Sequence, residues 1–231
     1  MSSTNRRIIS AAVALPVFVA CLWFGGWLLA AGLTALAIVG VYEFMRAVIS
    51  DKNKLFPQLN KNAKTVIYSF FSVVYIAFPL FAIFCLRETD GAMLSLVIIF
   101  IASWGCDTGA YFVGRWKGKK QLAPILSPKK TWGGAIGGTF IAVAAIVATA
   151  IIWSRNTLYW QEVLLFAGVG LIVVVAGQFG DLFASLIKRK CEIKDFGTIM
   201  PGHGGMLDRF DSILFVAPLV FISHFVLLPP L

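Results

Sequence analysis

From Ile8 to Tyr42 the chain runs 35 residues without an Asp, Glu, Lys or Arg. A helix rises about 1.5 Å per residue, so that run exceeds the roughly 30 Å hydrocarbon core of a bilayer. Gly25-Gly26-Trp27 offers a turn with an interfacial aromatic inside it. Two helices, about 8–28 and 31–49, are therefore expected. Five further runs without those charges follow: Thr65 to Leu86, Gly91 to Cys106, Thr131 to Ser154, Val163 to Gly180 and Ser212 to Leu231. Together they predict an all-α, polytopic integral membrane bundle of about seven transmembrane helices. The run Gly91 to Cys106 is short for a span unless its helix continues through Ala110-Tyr111-Phe112.

Composition excludes the other classes. The chain is 59% hydrophobic and 13% charged, against about 25% charged in soluble domains. An ordinary soluble enzyme and a disordered chain are both ruled out. Four cysteines, with no CxxC pair and no histidine at zinc spacing, exclude a disulfide scaffold and a zinc site.

Charge sets the topology. With the N-terminus cytoplasmic, the inner segments are 1–7, 46–64, 107–130 and 181–211, and they collect every Lys and Arg except Arg87 and Arg155. Merging the first two helices would send Lys52, Lys54, Lys61 and Lys64 outside, which supports the seven-span count. The net charge of +9 is thus one-sided, and such a surface also attracts anionic lipids and phosphates. Arg6-Arg7 reads as a positive-inside anchor rather than a twin-arginine signal, because no small-residue cleavage site follows. Glu43 and Arg46, three apart on a helix, are expected to pair. Residues 1–231 are read as one integral membrane domain, with function in two cytoplasmic loops, 107–132 and 181–211.

The first loop opens on Asp107-Thr108-Gly109-Ala110-Tyr111 and ends on Ser127-Pro128-Lys129-Lys130-Thr131-Trp132. Hydroxyls and glycines among lysines suit phosphate oxygens, although a solvated basic loop would look similar. The overlapping GxxxG spacings of Gly133 to Gly138 indicate close helix packing. The second loop opens on Asp181 at the end of a span, where an unpaired carboxylate is expensive. A helical continuation would place Ser185 and Lys188 on its side. Lys188-Arg189-Lys190, Lys194-Asp195, the turn Pro201-Gly202-His203-Gly204-Gly205 and Asp208-Arg209-Phe210-Asp211 follow. Asp208 and Asp211 could share one hard cation, and Asp211 alone could equally cap the last span. The boundary acids, the cations and the glycine turn together favour a magnesium-phosphate site. His203 is open to three readings: a base, a phosphate donor, or part of the turn. His224, inside the last span, is expected to pack or hydrogen-bond. No P-loop and no GxGxxG occurs.

These residues resemble the phosphatidate cytidylyltransferase (CDP-diacylglycerol synthase) family. The signature spans Ser185 to Asp211, matching at Ser185, Lys188-Arg189, Lys194-Asp195, Gly197, Pro201, His203-Gly204-Gly205, Asp208-Arg209 and Asp211. The Asp107 and Ser127 blocks are similar too, so the resemblance covers roughly the C-terminal half. Gly133 departs from it, since members usually carry Glu there, and the chain is shorter than many members.

The resemblance implies transfer of a cytidylyl group from CTP to phosphatidate, with Mg²⁺ and a second cation, K⁺ or Mg²⁺. It implies Asp181, Asp208 and Asp211 as metal carboxylates. Lys188, Arg189, Lys194, Asp195, His203 and Arg209 would be catalytic. Asp107, Ser127, Lys129, Lys130, Thr131, Ser185, Gly204 and Gly205 would contact substrate. Membrane lipids are expected partners, nucleic acid is not, and a homodimer is a further expectation. The expected location is a bacterial inner membrane with the site on the cytoplasmic side. The alternatives are a CTP-dependent lipid kinase and an anion transporter.

Overall fold

The computed structural model describes residues 12, 16–50, 55, 58–199 and 204–227. Arg6, Arg7, Lys52, Lys54, Pro201, Gly202, His203 and the start of the first expected span lie outside them.

Residues 16–24 are helical and the chain breaks at Gly25. Gly25 and Gly26 take φ of 64° and 50°, a left-handed conformation that glycine adopts without steric cost, so the expected turn is realised there. The long helices are α1 (Gly26–Val48), α2 (Asn62–Glu88), α3 (Met93–Lys117), α4 (Trp132–Trp153) and α5 (Trp160–Lys190). Between α3 and α4 lies an antiparallel hairpin of β1 (Gln121–Ala123) and β2 (Ser127–Thr131). The short α6 (Leu207–Phe210) and the apolar α7 (Ile213–Val226) complete the chain.

The five long helices have mean hydropathies of 1.6 to 2.3 in windows only 22–44% buried. Their apolar side chains therefore face outward as well as inward, which water would penalise and lipid would not. Trp27, Trp116 and Trp160, near helix ends, are exposed, as interfacial anchors are. The fold is that of a polytopic helical membrane protein. The hairpin is a small addition to the all-α expectation.

Two of the segments read as loops are partly helical. Helix α3 runs on through Ala110-Tyr111-Phe112 to Lys117, and α5 runs through Asp181 to Lys190. Charge ends a membrane span without ending a helix. At 31 residues α5 measures about 46 Å, longer than the hydrocarbon core.

The residues group into two compact units: 1–88 with 186–211, and 89–185 with 212–231. In the first, Phe44 packs in an aromatic cluster with Phe71, Tyr75 and Phe196. Arg87 closes the Gly25 break by donating to the carbonyls of Leu22 and Trp23 at 2.6 and 2.7 Å. In the second, Ile98, Val173, Val174, Ile213, Val216 and Ala217 form the core. Gly134 and Gly138 let α4 lie against α3: a Cβ on either would come within 2.7 Å of a backbone oxygen, Ala110 O or Cys106 O. That is the close packing expected of the GxxxG spacings, satisfied within one chain. His224 bonds Ser95 Oγ through Nδ1 at 3.0 Å.

Candidate active site

In the second unit, α3 at Asp107 to Tyr111, the start of α4, α5 at Gln178 to Asp181 and the hairpin line a cavity of about 260 Å³. The hairpin builds it. Lys120 O accepts the Trp132 N–H at 3.0 Å and Gln121 Nε2 donates to Pro128 O at 3.0 Å, so β2 returns to the end of α3. Lys129, Lys130 and Thr131 thereby face Asp107 and Tyr111 of α3 and Gln178 and Asp181 of α5 around the same cavity.

Asp181, expected to need a partner and to have Ser185 and Lys188 on its side, instead pairs with Lys130 of the hairpin, both side chains about three-quarters buried. Thr131 is the N-cap of α4, its Oγ1 accepting the Gly134 N–H at 3.1 Å. Gln178 is anchored by its amide nitrogen, which donates to Thr139 Oγ1 at 2.7 Å and Ala135 O at 3.1 Å. Two carboxylates and two ammonium groups make the cavity formally neutral. A phosphate dianion entering it would bring uncompensated negative charge, and a divalent cation would restore the balance. Hard oxygen donors on Asp107 and Asp181 suit Mg²⁺. Ser127, at the far end of β2, does not line the cavity, and Ser185 is buried on α5.

In the first unit, Phe196, Gly197 and Gly205 to Leu207 lie around two carboxylates. Asp208 Oδ1 accepts Lys188 Nζ at 2.7 Å. Its Oδ2 accepts the N–H groups of Phe196 at 2.8 Å and Gly205 at 3.0 Å. Lys188 also lies 5.4 Å from the Phe196 ring centroid. Asp208 thus ties the end of α5 to the loop and to α6, and the Gly205 N–H, expected to meet substrate, is committed to it. Gly204 has φ of 87° and lies against Asp195. Arg189 donates to Ile193 O at 3.3 Å, while Lys194 and Asp195 are exposed. Arg209 is exposed and Asp211 is buried next to Ser212, the N-cap position of α7. Among the described residues no three His, Cys, Asp or Glu side chains group as metal ligands.

Glu43 is a correction to the sequence reading. It is 2% exposed, and its carboxylate accepts the N–H groups of Leu207 at 2.9 Å and Met206 at 3.2 Å, not the exposed Arg46. A carboxylate buried in a span needs donors close at hand, and the start of α6 offers two. Gly197 and Gly205 flank it so closely that a Cβ on either would collide with its oxygens. Cys191, at the loop's entrance, is fully buried, and burial pushes its thiol up to about 11.

These are the features of a polytopic membrane protein carrying a charged cavity at the ends of its spans. The model of the cytidylyltransferase family matches residues 51–227. The chain is 39% identical over 165 residues to the phosphatidate cytidylyltransferase of Staphylococcus aureus (strain COL), covering 71% of this chain and 62% of that protein. It is 33% identical over 219 residues to the phosphatidate cytidylyltransferase of Rickettsia typhi, covering 93% and 89%. The chain therefore belongs to the cytidylyltransferase family. It spans about 62% of the length of the staphylococcal relatives.

Proposed function

We propose that the chain transfers a cytidylyl group from CTP to phosphatidate, giving CDP-diacylglycerol and pyrophosphate. The observation that carries this reading is the cavity where Lys129 and Lys130 meet Asp107 and Asp181, in a chain similar to proteins named for that activity. A phosphomonoester oxygen of the lipid, already ionised, attacks the α-phosphorus of CTP. The new phosphorus–oxygen bond forms as the bond to pyrophosphate breaks. No hydroxyl proton has to be removed, so the residues supply alignment and charge compensation rather than a base.

Lys130 releases Asp181 and turns to the lipid phosphate, with Lys129 beside it. Asp181, with Asp107, would hold Mg²⁺, which when bound neutralises phosphate charge. Arg189, Lys194 and Arg209 serve the triphosphate. Asp208 fits a ligand role less well, since both oxygens already hold Lys188 and two amides. It is read as the latch that keeps Lys188 and the loop in place. Asp211 remains the candidate for a second cation, Mg²⁺ or K⁺. The site faces the cytoplasm in a bacterial inner membrane. A homodimer would need a surface other than the Gly134 and Gly138 stripe, which α3 already covers.

The test is to incubate detergent-purified protein with phosphatidate, Mg²⁺ and cytidine-labelled CTP and separate the lipids. Label is expected in the lipid, reduced about a hundredfold in Lys130→Met and Asp181→Asn, as when a preorganised charge is removed from a transition state. CDP released beside an unlabelled lipid would indicate a kinase. No turnover with any lipid phosphate or alcohol would leave the anion transporter.

A further inference from the structure

The charged cavity accounts for the head of a lipid and leaves a second, larger space unexplained. In the same unit α4 and α5 line an apolar groove of about 800 Å³ with no charged residue on its walls. Trp132, Ile136 and Phe140 line it from α4, and Leu171 and Val175 from α5. Leu122, Ala135 and Gln178 line both this groove and the charged cavity. One wall therefore passes from lysines to hydrocarbon.

The groove extends to Gly168. Ten residues of helix separate Gly168 from Gln178, about 15 Å along the axis, which is half of a roughly 30 Å hydrocarbon core. That is the depth of one leaflet, hence the reach of one acyl chain from its headgroup. A Cβ at Gly168 would meet nothing within 4 Å, whereas one at Gly170 would touch Ile146 Cδ1 at 3.4 Å. Gly168 therefore leaves open space where a side chain would fill the groove.

We propose that this groove seats one acyl chain of the phosphatidate whose phosphate lies at Lys129 and Lys130, and that Gly168 sets the length of chain accepted. The proposal rests on the transferase reading. An anionic head joined to a tail one leaflet long is the ligand that a lysine pair continuous with such a groove fits. Larger residues at Gly168 shorten the groove and leave the cavity untouched.

The experiment measures kcat/KM for dioleoyl and dioctanoyl phosphatidate in wild type, Gly168→Ala, Gly168→Leu and Gly170→Ala. Gly168→Leu should lower the ratio of long-chain to short-chain turnover about tenfold, the scale of selectivity available from one or two hydrocarbon groups in a pocket. Gly168→Ala should lower it less, and Gly170→Ala should leave it unchanged. If Gly168→Leu does not fold, Val143→Phe on the α4 wall serves instead. In parallel, phosphatidate with a photoreactive group at the chain end should label α5 around Gly168 in wild type, and the label should fall in Gly168→Leu. An unchanged ratio in a folded variant, or label outside α4 and α5, overturns the proposal. Label at Gly168 without cytidylyl transfer overturns the transferase reading and supports the groove as a lipid-phosphate site.

Discussion

Replacing Asp208 by Asn separates a carboxylate that holds the loop in place from one that acts on substrate or metal. In the structure its Oδ1 takes Lys188 Nζ and its Oδ2 takes two backbone N–H groups, with the Lys188 and Asp208 side chains only 11% and 4% exposed. Asn has one acceptor oxygen. If that oxygen keeps the two amides, its NH₂ points at a buried ammonium; if it turns to the ammonium, both amides lose their partner. Breaking one side of a buried pair costs about 3–5 kcal/mol, and the Phe196 ring beside Lys188 offsets part of that. A loss near 3 kcal/mol lowers the melting temperature by roughly 6–12 °C for a chain of this size. Thermal unfolding in detergent at one fixed scan rate reads it. Limited trypsin digestion should cut sooner at Lys194. The double variant Lys188→Met with Asp208→Asn, lacking both charges, should recover much of the loss. If Asp208→Asn melts and digests like wild type while turnover disappears, the latch argument is wrong and Asp208 acts on substrate or metal.

Three further outcomes follow from the same packing. Glu43→Gln should destabilise the protein by about 1–3 kcal/mol, because one of the Met206 and Leu207 amides would face an NH₂ group; the melting temperature and amide exchange at Met206 and Leu207 check it. Gly138→Val should cost about 1–3 kcal/mol by overpacking α4 against α3, read as a lower melting temperature with impaired turnover, since Lys130 and Thr131 lead directly into α4. Cys191 should resist maleimide at pH 8 until the protein unfolds. Its folded-state pKa near 11 stands above the usual value of 9.0, so its contribution to stability is intact below pH 9 and is lost as pH rises toward 11. Cys191→Ser should flatten that part of the stability profile.

The spans were legible because a bilayer imposes a length and an absence of charge, and Thr131 to Ser154 differs from the observed α4 by one residue at each end. The points where α3 and α5 end were not, because Asp107 to Lys117 and Asp181 to Lys190 are as helical as the runs before them. The hairpin had no alternating pattern to reveal it: Ser127-Pro128-Lys129-Lys130 carries none of the apolar spacing that marks a strand. It is held by backbone pairing of Gln121 with Thr131 and of Ala123 with Ser127.

The charged residues that line the cavity stood out in the sequence, but their pairings did not. Spacing along a helix reports only on neighbours within that element, so Asp181 suggested Lys188, seven residues on, whereas the hairpin brings Lys130 to it. Glu43 shows the same limit more sharply. A carboxylate following a 35-residue uncharged run must be paid for with donors, and Arg46 was the nearest cation. But a guanidinium buried beside it would need desolvation of a second charge, while backbone amides at the start of a short helix bring their dipoles without that cost. Gly197 and Gly205 leave room for a carboxylate to reach them. Glycines spaced through a signature loop can therefore mark where an acid from elsewhere in the chain inserts, as well as where a phosphate binds.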